Sequence, residues 1–125
     1  MNNSDKQKVT PEEIRKHARE VYNQSWEIQY KGAQCKFETT SPEDAVLYDL
    51  EVPRKTRNQG IGSSMVRTAE EIIRERTSAN VLYAQVGASD GSTRHVLEEK
   101  CEFEIVGEEY SEELGKIVDA MKQLD

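Results

Sequence analysis

Three cations and two glycines crowd into residues 53–62, Pro-Arg-Lys-Thr-Arg-Asn-Gln-Gly-Ile-Gly. Arg54, Lys55 and Arg57 bring positive charge, while Gly60 and Gly62 let the main chain take unusual dihedrals and approach a ligand closely. An amphipathic stretch begins at the second glycine, so the loop opens onto a helix mouth whose free amides and dipole favour an anion. The chemistry this spacing suits is phosphate binding by main-chain N–H groups. Two nucleotide motifs fail against the letters. A P-loop needs Lys and then Ser or Thr after its last glycine, where this chain has Ser63-Ser64, and the dinucleotide fingerprint needs a small residue at position 65, which is Met.

The rest of the chain is acidic. Twenty-four Asp and Glu against 17 Lys and Arg give 125 residues a formal charge of −7, a field that repels nucleic acid and leaves the loop as a local basic site. At 35% hydrophobic and 33% charged, with 3 Pro and 7 Gly, the composition is that of one polar globular domain with a thin core. We expect residues 1–9 to form a disordered tail and 10–125 the domain. No window reaches the apolar length of a membrane span, so the expected location is cytoplasmic, without membrane or nucleic-acid partners. Cys35 and Cys101 sit at alternating positions beside apolar residues and read as buried free thiols. His17 and His95 offer no metal-ligand spacing, so no metal is expected.

The elements that must position the loop follow from periodicity. Thr10-Pro11-Glu12-Glu13 is a cap, a first-turn proline and two first-turn acids, predicting a helix over 11–23 with Ile14, Ala18, Val21 and Tyr22 on one stripe. Residues 26–30 and 33–39 alternate around Lys31-Gly32 as a hairpin. Residues 45–52 read as a central strand covered on both faces. Met65, Val66, Ala69, Ile72 and Ile73 define a helix over 62–76. A strand over 80–86, a turn at 87–90, a short helix carrying Val96 and Leu97, and a strand over 101–107 follow. Residues 111–124 carry Leu114, Ile117, Val118, Met121 and Leu124 at helical spacing, predicting a terminal helix capped by Ser111 that packs on its own sheet or forms a homodimer contact. The mixture of hairpin and strand–helix–strand order predicts a mixed α/β sheet.

Arg57-Asn58-Gln59-Gly60-Ile61-Gly62 after a strand ending in Val resembles motif A of the GNAT N-acetyltransferases, Gln/Arg-x-x-Gly-x-Gly/Ala. Residues 91–108 resemble motif B, Asn-x-x-Ala-x-x-x-Tyr-Glu-Lys-x-Gly-Phe: Glu99, Lys100 and Phe103 match, whereas Gly91, Arg94, Glu98 and Glu102 stand in place of the Asn, Ala, Tyr and Gly. The two resemblances cover about half the chain, residues 45–108.

The resemblance implies the acyl-CoA N-acyltransferase fold, here with a short N-terminal region and an extra C-terminal helix, and acetyl-CoA as cofactor. It implies that the amides of Arg57, Asn58, Gln59, Gly60, Ile61, Gly62 and Ser63 hold the pyrophosphate. It further implies that the main chain of Leu50, Glu51 and Val52 meets the pantetheine arm where two neighbouring strands splay apart. Family members often protonate the departing thiolate with a tyrosine where this chain has Glu98, and often use a carboxylate near the central strand as base, for which Glu51 and then Asp49 are the candidates. The reaction implied is acetyl transfer to a primary amine of a protein or small molecule by direct attack. The alternative is a non-catalytic acyl-CoA-binding or interaction module on the same fold. An amine reaching the groove beside Asp49 and Glu51 separates the two.

Overall fold

The structure, a computed structural model, describes residues 8–87, 91–113 and 115–124. The first helix starts as its letters require: the Glu13 amide donates to Thr10 Oγ1 at 3.2 Å and Pro11 opens α1, Pro11–Arg15. It then stops, and the expected continuation to residue 23 is replaced by β1, Ala18–Tyr22, antiparallel to β2, Ser25–Tyr30. The helical spacing of Ala18, Val21 and Tyr22 lost to pairing. A strand like β2 has a free edge of N–H and C=O groups to satisfy, and Val21 and Tyr22 are good strand formers. Both side chains are outside the core, 49% and 79% exposed.

The hairpin from β2 into β3, Ala33–Thr39, turns on Lys31 and Gly32 at φ 50° and 82°, the left-handed pair a two-residue loop favours. The remaining elements are β4, Asp44–Glu51; a 3-10 turn, Arg54–Thr56; α2, Ile61–Arg76; β5, Val81–Gly87; α3, Gly91–His95, running into a π-helical turn, Val96–Lys100; β6, Glu104–Ser111; and β7, Gly115–Gln123. The expected turn after Gly87 falls on 88–90, outside the described residues.

Seven strands form one mixed sheet in the order β1-β2-β3-β4-β5-β7-β6, with β4 central and the β4–β5 pair parallel. Met65, Val66, Ala69 and Ile73 of α2 join Ile28, Phe37, Leu47, Leu82 and Val118 in a single core. The helices are linked to one another along that face, α1 and the π turn each against α2. Among the described residues no helix covers the other face. The expectation that β4 is covered on both faces is therefore corrected: Ala45 and Leu47 are buried, Val46 and Tyr48 only half so.

The C-terminal helix is absent. Residues 115–123 form β7, which lies between β5 and β6 and pairs antiparallel with both. Val118, Ala120 and Leu124 are buried, a period-2 set hidden inside the helical spacing, and Gly115 at φ 73° turns the chain back from β6. A slot flanked by two strand edges offers two ladders of hydrogen bonds, more than one helix of modest propensity can match. The stripe on which a dimer contact was expected does not exist. The last strand of the expected set also starts later, at Glu104, with Cys101 and Phe103 buried ahead of it.

Candidate functional site

β4 is irregular where chemistry is expected. Its register with β3 runs Lys36↔Tyr48 and then Gln34↔Glu51, so two residues on β4, Asp49 and Leu50, oppose one on β3, Cys35, and Asp49 takes φ 53°. This bulge reverses the side-chain parity. Strict alternation would send Asp49 and Glu51 to the side of Leu47. With the extra residue Leu50 turns inward and is buried, while Asp49 and Glu51 are exposed. Pairing between β4 and β5 covers only Asp44↔Val81 to Leu47↔Ala84, and beyond it no β4–β5 register joins Tyr48–Glu51 to Gln85–Gly87. The two strands part there, as the resemblance implied.

The loop after β4 is shaped mainly by its own main chain. Arg57 Nε donates to the Val52 carbonyl at 3.2 Å, and Asn58 and Gly60 adopt φ 68° and 77°. A Cβ on Gly60 would lie in ordinary contact, 3.5 Å from the Val9 carbonyl oxygen, so the left-handed dihedral is what selects glycine there. A Cβ on Gly62 would stand 3.4 Å from a methyl of Val52 and 3.4 Å from one of Val96, narrowing the gap between the end of β4 and the π-helical turn. The first helical bond of α2 runs from the Ser64 amide to the Gly60 carbonyl, 2.9 Å, and Gly60 has no side chain with which to cap the amides ahead of it.

These pieces surround a cleft of about 770 Å³. Leu50, Val52, Arg57, Asn58, Gly60, Ile61, Gly62 and Ser63 line it, together with residues 8–11 and the α3 region. Gln59 does not: its carbonyl accepts from the Val9 amide at 2.7 Å. Lys8, Arg57, Arg67, Lys100 and His95 line the cleft and, among the described residues, no Asp or Glu does. In a chain of charge −7 that is a strongly selective arrangement for a polyanion. Of these, sequence reasoning assigned only Arg57 to the anion-binding loop. Arg54 and Lys55, also named, sit exposed on the 3-10 turn outside the lining. Lys8 and Val9 were assigned to the tail, yet Val9 is 7% exposed and tied to the loop.

The three carboxylates expected to do chemistry lie outside the cleft lining. Asp49 Oδ2 is 3.6 Å from Lys36 Nζ, and Gln34 Nε2 donates to Glu51 Oε2 at 3.4 Å, both on the uncovered face of the sheet. Glu98 accepts from Arg94 Nε at 2.6 Å within one helical turn. Two features of the uncovered face were not foreseen. Tyr48 donates to Glu38 at 2.7 Å, and that bond, with burial, pushes its phenol up to about 12. Glu109 is raised from the usual carboxylate range, first by its hydrogen bond with Asp119 and then by that residue's charge, and Gln85 Nε2 bridges the two at 3.2 and 3.1 Å.

The sequence profile of the Acetyltransferase (GNAT) family matches residues 14–103. No curated protein is similar enough in sequence to match the chain. Among solved structures it is similar to Ard1 from Thermoplasma volcanium, with TM-score 0.68 and 14% identity over 82% of this chain and 71% of that one. It is similar to a GNAT family acetyltransferase from Elizabethkingia anophelis with acetyl-CoA bound, at TM-score 0.62 and 13% identity, covering 90% and 80% of the two chains. It is also similar to the aminoglycoside acetyltransferase AAC(6')-Ib in complex with coenzyme A and kanamycin, at TM-score 0.63 and 16% identity, covering 79% and 65%. The chain belongs to the GNAT acetyltransferase family. Acetyl transfer is the activity that membership carries.

Proposed function

We propose that the protein moves the acetyl group of acetyl-CoA to a primary amine on a cationic acceptor. The reading rests above all on the cation-lined cleft leading to the place where β4 and β5 part. The amides of residues 57–63 hold the pyrophosphate, Arg57 shapes the loop from within, and the main chain of Leu50 to Val52, unpaired toward β5, receives the pantetheine arm. The arm then passes between the strands toward the face that carries Asp49 and Glu51.

On that face the neutral amine attacks the thioester carbonyl, a C–N bond forms, and the C–S bond breaks as the tetrahedral adduct collapses. Glu51 takes the ammonium proton, directly or through water, and the thiolate takes one from solvent, since Glu98 is engaged by Arg94. Holding amine and thioester together supplies most of the acceleration. The exposed Asp49 and Glu51, with Glu38, Glu109 and Asp119 on the same face, favour a positively charged acceptor such as a lysine side chain, a protein N-terminus or a polyamine. Their exposure also favours turnover over a purely binding role. Two buried, unpaired cysteines are in keeping with a reducing, cytoplasmic setting.

Calorimetric titration with acetyl-CoA and CoA tests the loop, using wild type and a Gly60→Asp, Gly62→Asp double variant. Micromolar-range binding lost in the variant supports the reading and leads to an acceptor screen. A folded wild type that binds neither ligand overturns it.

A further inference from the structure

Residues 8–11 precede the segment matched by the family, yet they form one wall of the cleft. They are firmly tied. The Val9 amide donates to the Gln59 carbonyl at 2.7 Å, Ser64 Oγ donates to the Val9 carbonyl at 2.6 Å, and Thr68 Oγ1 donates to the Pro11 carbonyl at 3.1 Å. Further on, Ile14 is fully buried and Arg15 makes a two-pronged ion pair with Glu75, at 2.9 and 2.6 Å. The strap is thus riveted to the phosphate loop at one end and to α2 at the other. Its first described residue, Lys8, lays its stem over the loop, with Cδ 3.7 Å from where a Cβ on Gly60 would be.

We propose that this strap is part of the cofactor site and that Lys8 pairs with a phosphate of the CoA nucleotide. The inference builds on the reading of residues 57–63 as the phosphate-holding loop. A lysine amine on a stem anchored beside glycine amides adds a point charge where those amides can only offer dipoles. The Val9–Gln59 bond does a second job. It occupies the loop carbonyl next to Gly60, so the neighbouring peptide is held in the orientation the left-handed glycine sets. Lys8, Arg67 and Lys100 then approach the cleft from three different elements, a distribution suited to a ligand with several separated phosphates.

The test compares acetyl-CoA with S-acetylpantetheine, which has the arm and no nucleotide, by competition calorimetry on wild type, Lys8→Gln and Lys8→Arg. We expect Lys8→Gln to weaken acetyl-CoA about tenfold, the loss of one charge-assisted hydrogen bond, with Lys8→Arg retaining affinity within about threefold. S-acetylpantetheine should bind all three alike, and the tenfold gap should shrink as salt rises. Equal acetyl-CoA affinity in wild type and Lys8→Gln overturns the proposal, as does equal weakening of both ligands, which would place Lys8 in the fold alone. Failure of wild type to bind acetyl-CoA at all is a different result, and removes the phosphate loop itself.

Discussion

Lys122 Nζ on β7 stands 2.9 Å from Glu70 Oε1 on α2, joining the C-terminal strand to the helix that follows the glycine loop. Glu70 is only 3% exposed, and among the described residues its Oε2 finds no hydrogen-bond partner. The carboxylate therefore depends on Lys122, with Arg74 4.0 Å away on the same helix. Removing one partner of a buried pair costs more than removing both. Lys122→Met should destabilise by about 3 kcal/mol, and Glu70→Gln with Lys122→Met should recover more than half of that loss. Chemical denaturation of the three proteins checks it, and equal stability of the single and double variants would disprove the dependence.

Glu102 offers a gain in the other direction. It adopts φ 63°, a left-handed backbone that glycine takes freely, at the position where the motif B resemblance has Gly. Glycine there relieves a strain of about 1–2 kcal/mol and gives back part of it in unfolded-chain entropy. Glu102→Gly should raise stability by about 0.5–1 kcal/mol, read as a higher denaturation midpoint at unchanged slope.

The carboxylates separate by position. Glu51→Gln should lower kcat/KM about a hundredfold near neutrality, with the deficit narrowing as pH rises and more acceptor arrives as free amine. Glu98→Gln should change it less than about threefold, because Glu98 is already engaged by Arg94. A pH–rate profile for each variant decides, and a large loss in Glu98→Gln alone would hand the proton role back to that residue.

The thiols give a pH signature. Burial pushes Cys35 up to about 12, and burial first, then the charge of Glu70, pushes Cys101 up to about 11, each from an ordinary value of 9.0. A raised pKa favours the neutral thiol in the folded state. Stability is therefore undiminished by these groups below pH 9 and falls as pH climbs from there through 11 to 12, since unfolded thiols ionise first. At pH 8.5 iodoacetamide should label the folded protein at least about a hundredfold more slowly than the urea-unfolded chain. Fast labelling of either cysteine without unfolding would show the burial to be wrong.

How far these features were legible depended on where their information resides. The glycine loop and α2 are local: the glycines, the arginine and five apolar residues from Met65 to Ile73 carry both shape and stripe within one window. β1 and β7 are decided elsewhere. Ala18, Val21 and Tyr22 fit a helix in isolation and became a strand because β2 offered an edge, and Val118 with Leu124 fits either period until the slot between β5 and β6 is known. The bulge at Asp49 leaves no letter of its own, so the parity of Glu51 could not be read. The strap was missed because a lone Val9 in a polar stretch carries no periodicity, and its partners are a carbonyl at Gln59 and a hydroxyl at Ser64. Glu98 departs from the family tyrosine in its letter, but its pairing with Arg94 one helical turn earlier could be seen only in three dimensions.

The inserted residue at Asp49 makes this end of β4 a matter of counting. Adding one residue directly after Leu50 would swing the Glu51 carboxylate toward the greasy interior, while every amino acid type in the segment stayed acceptable. A site assembled this way forgives changes of spelling and punishes changes of length. That fits solved relatives that keep the shape at 13% to 16% identity.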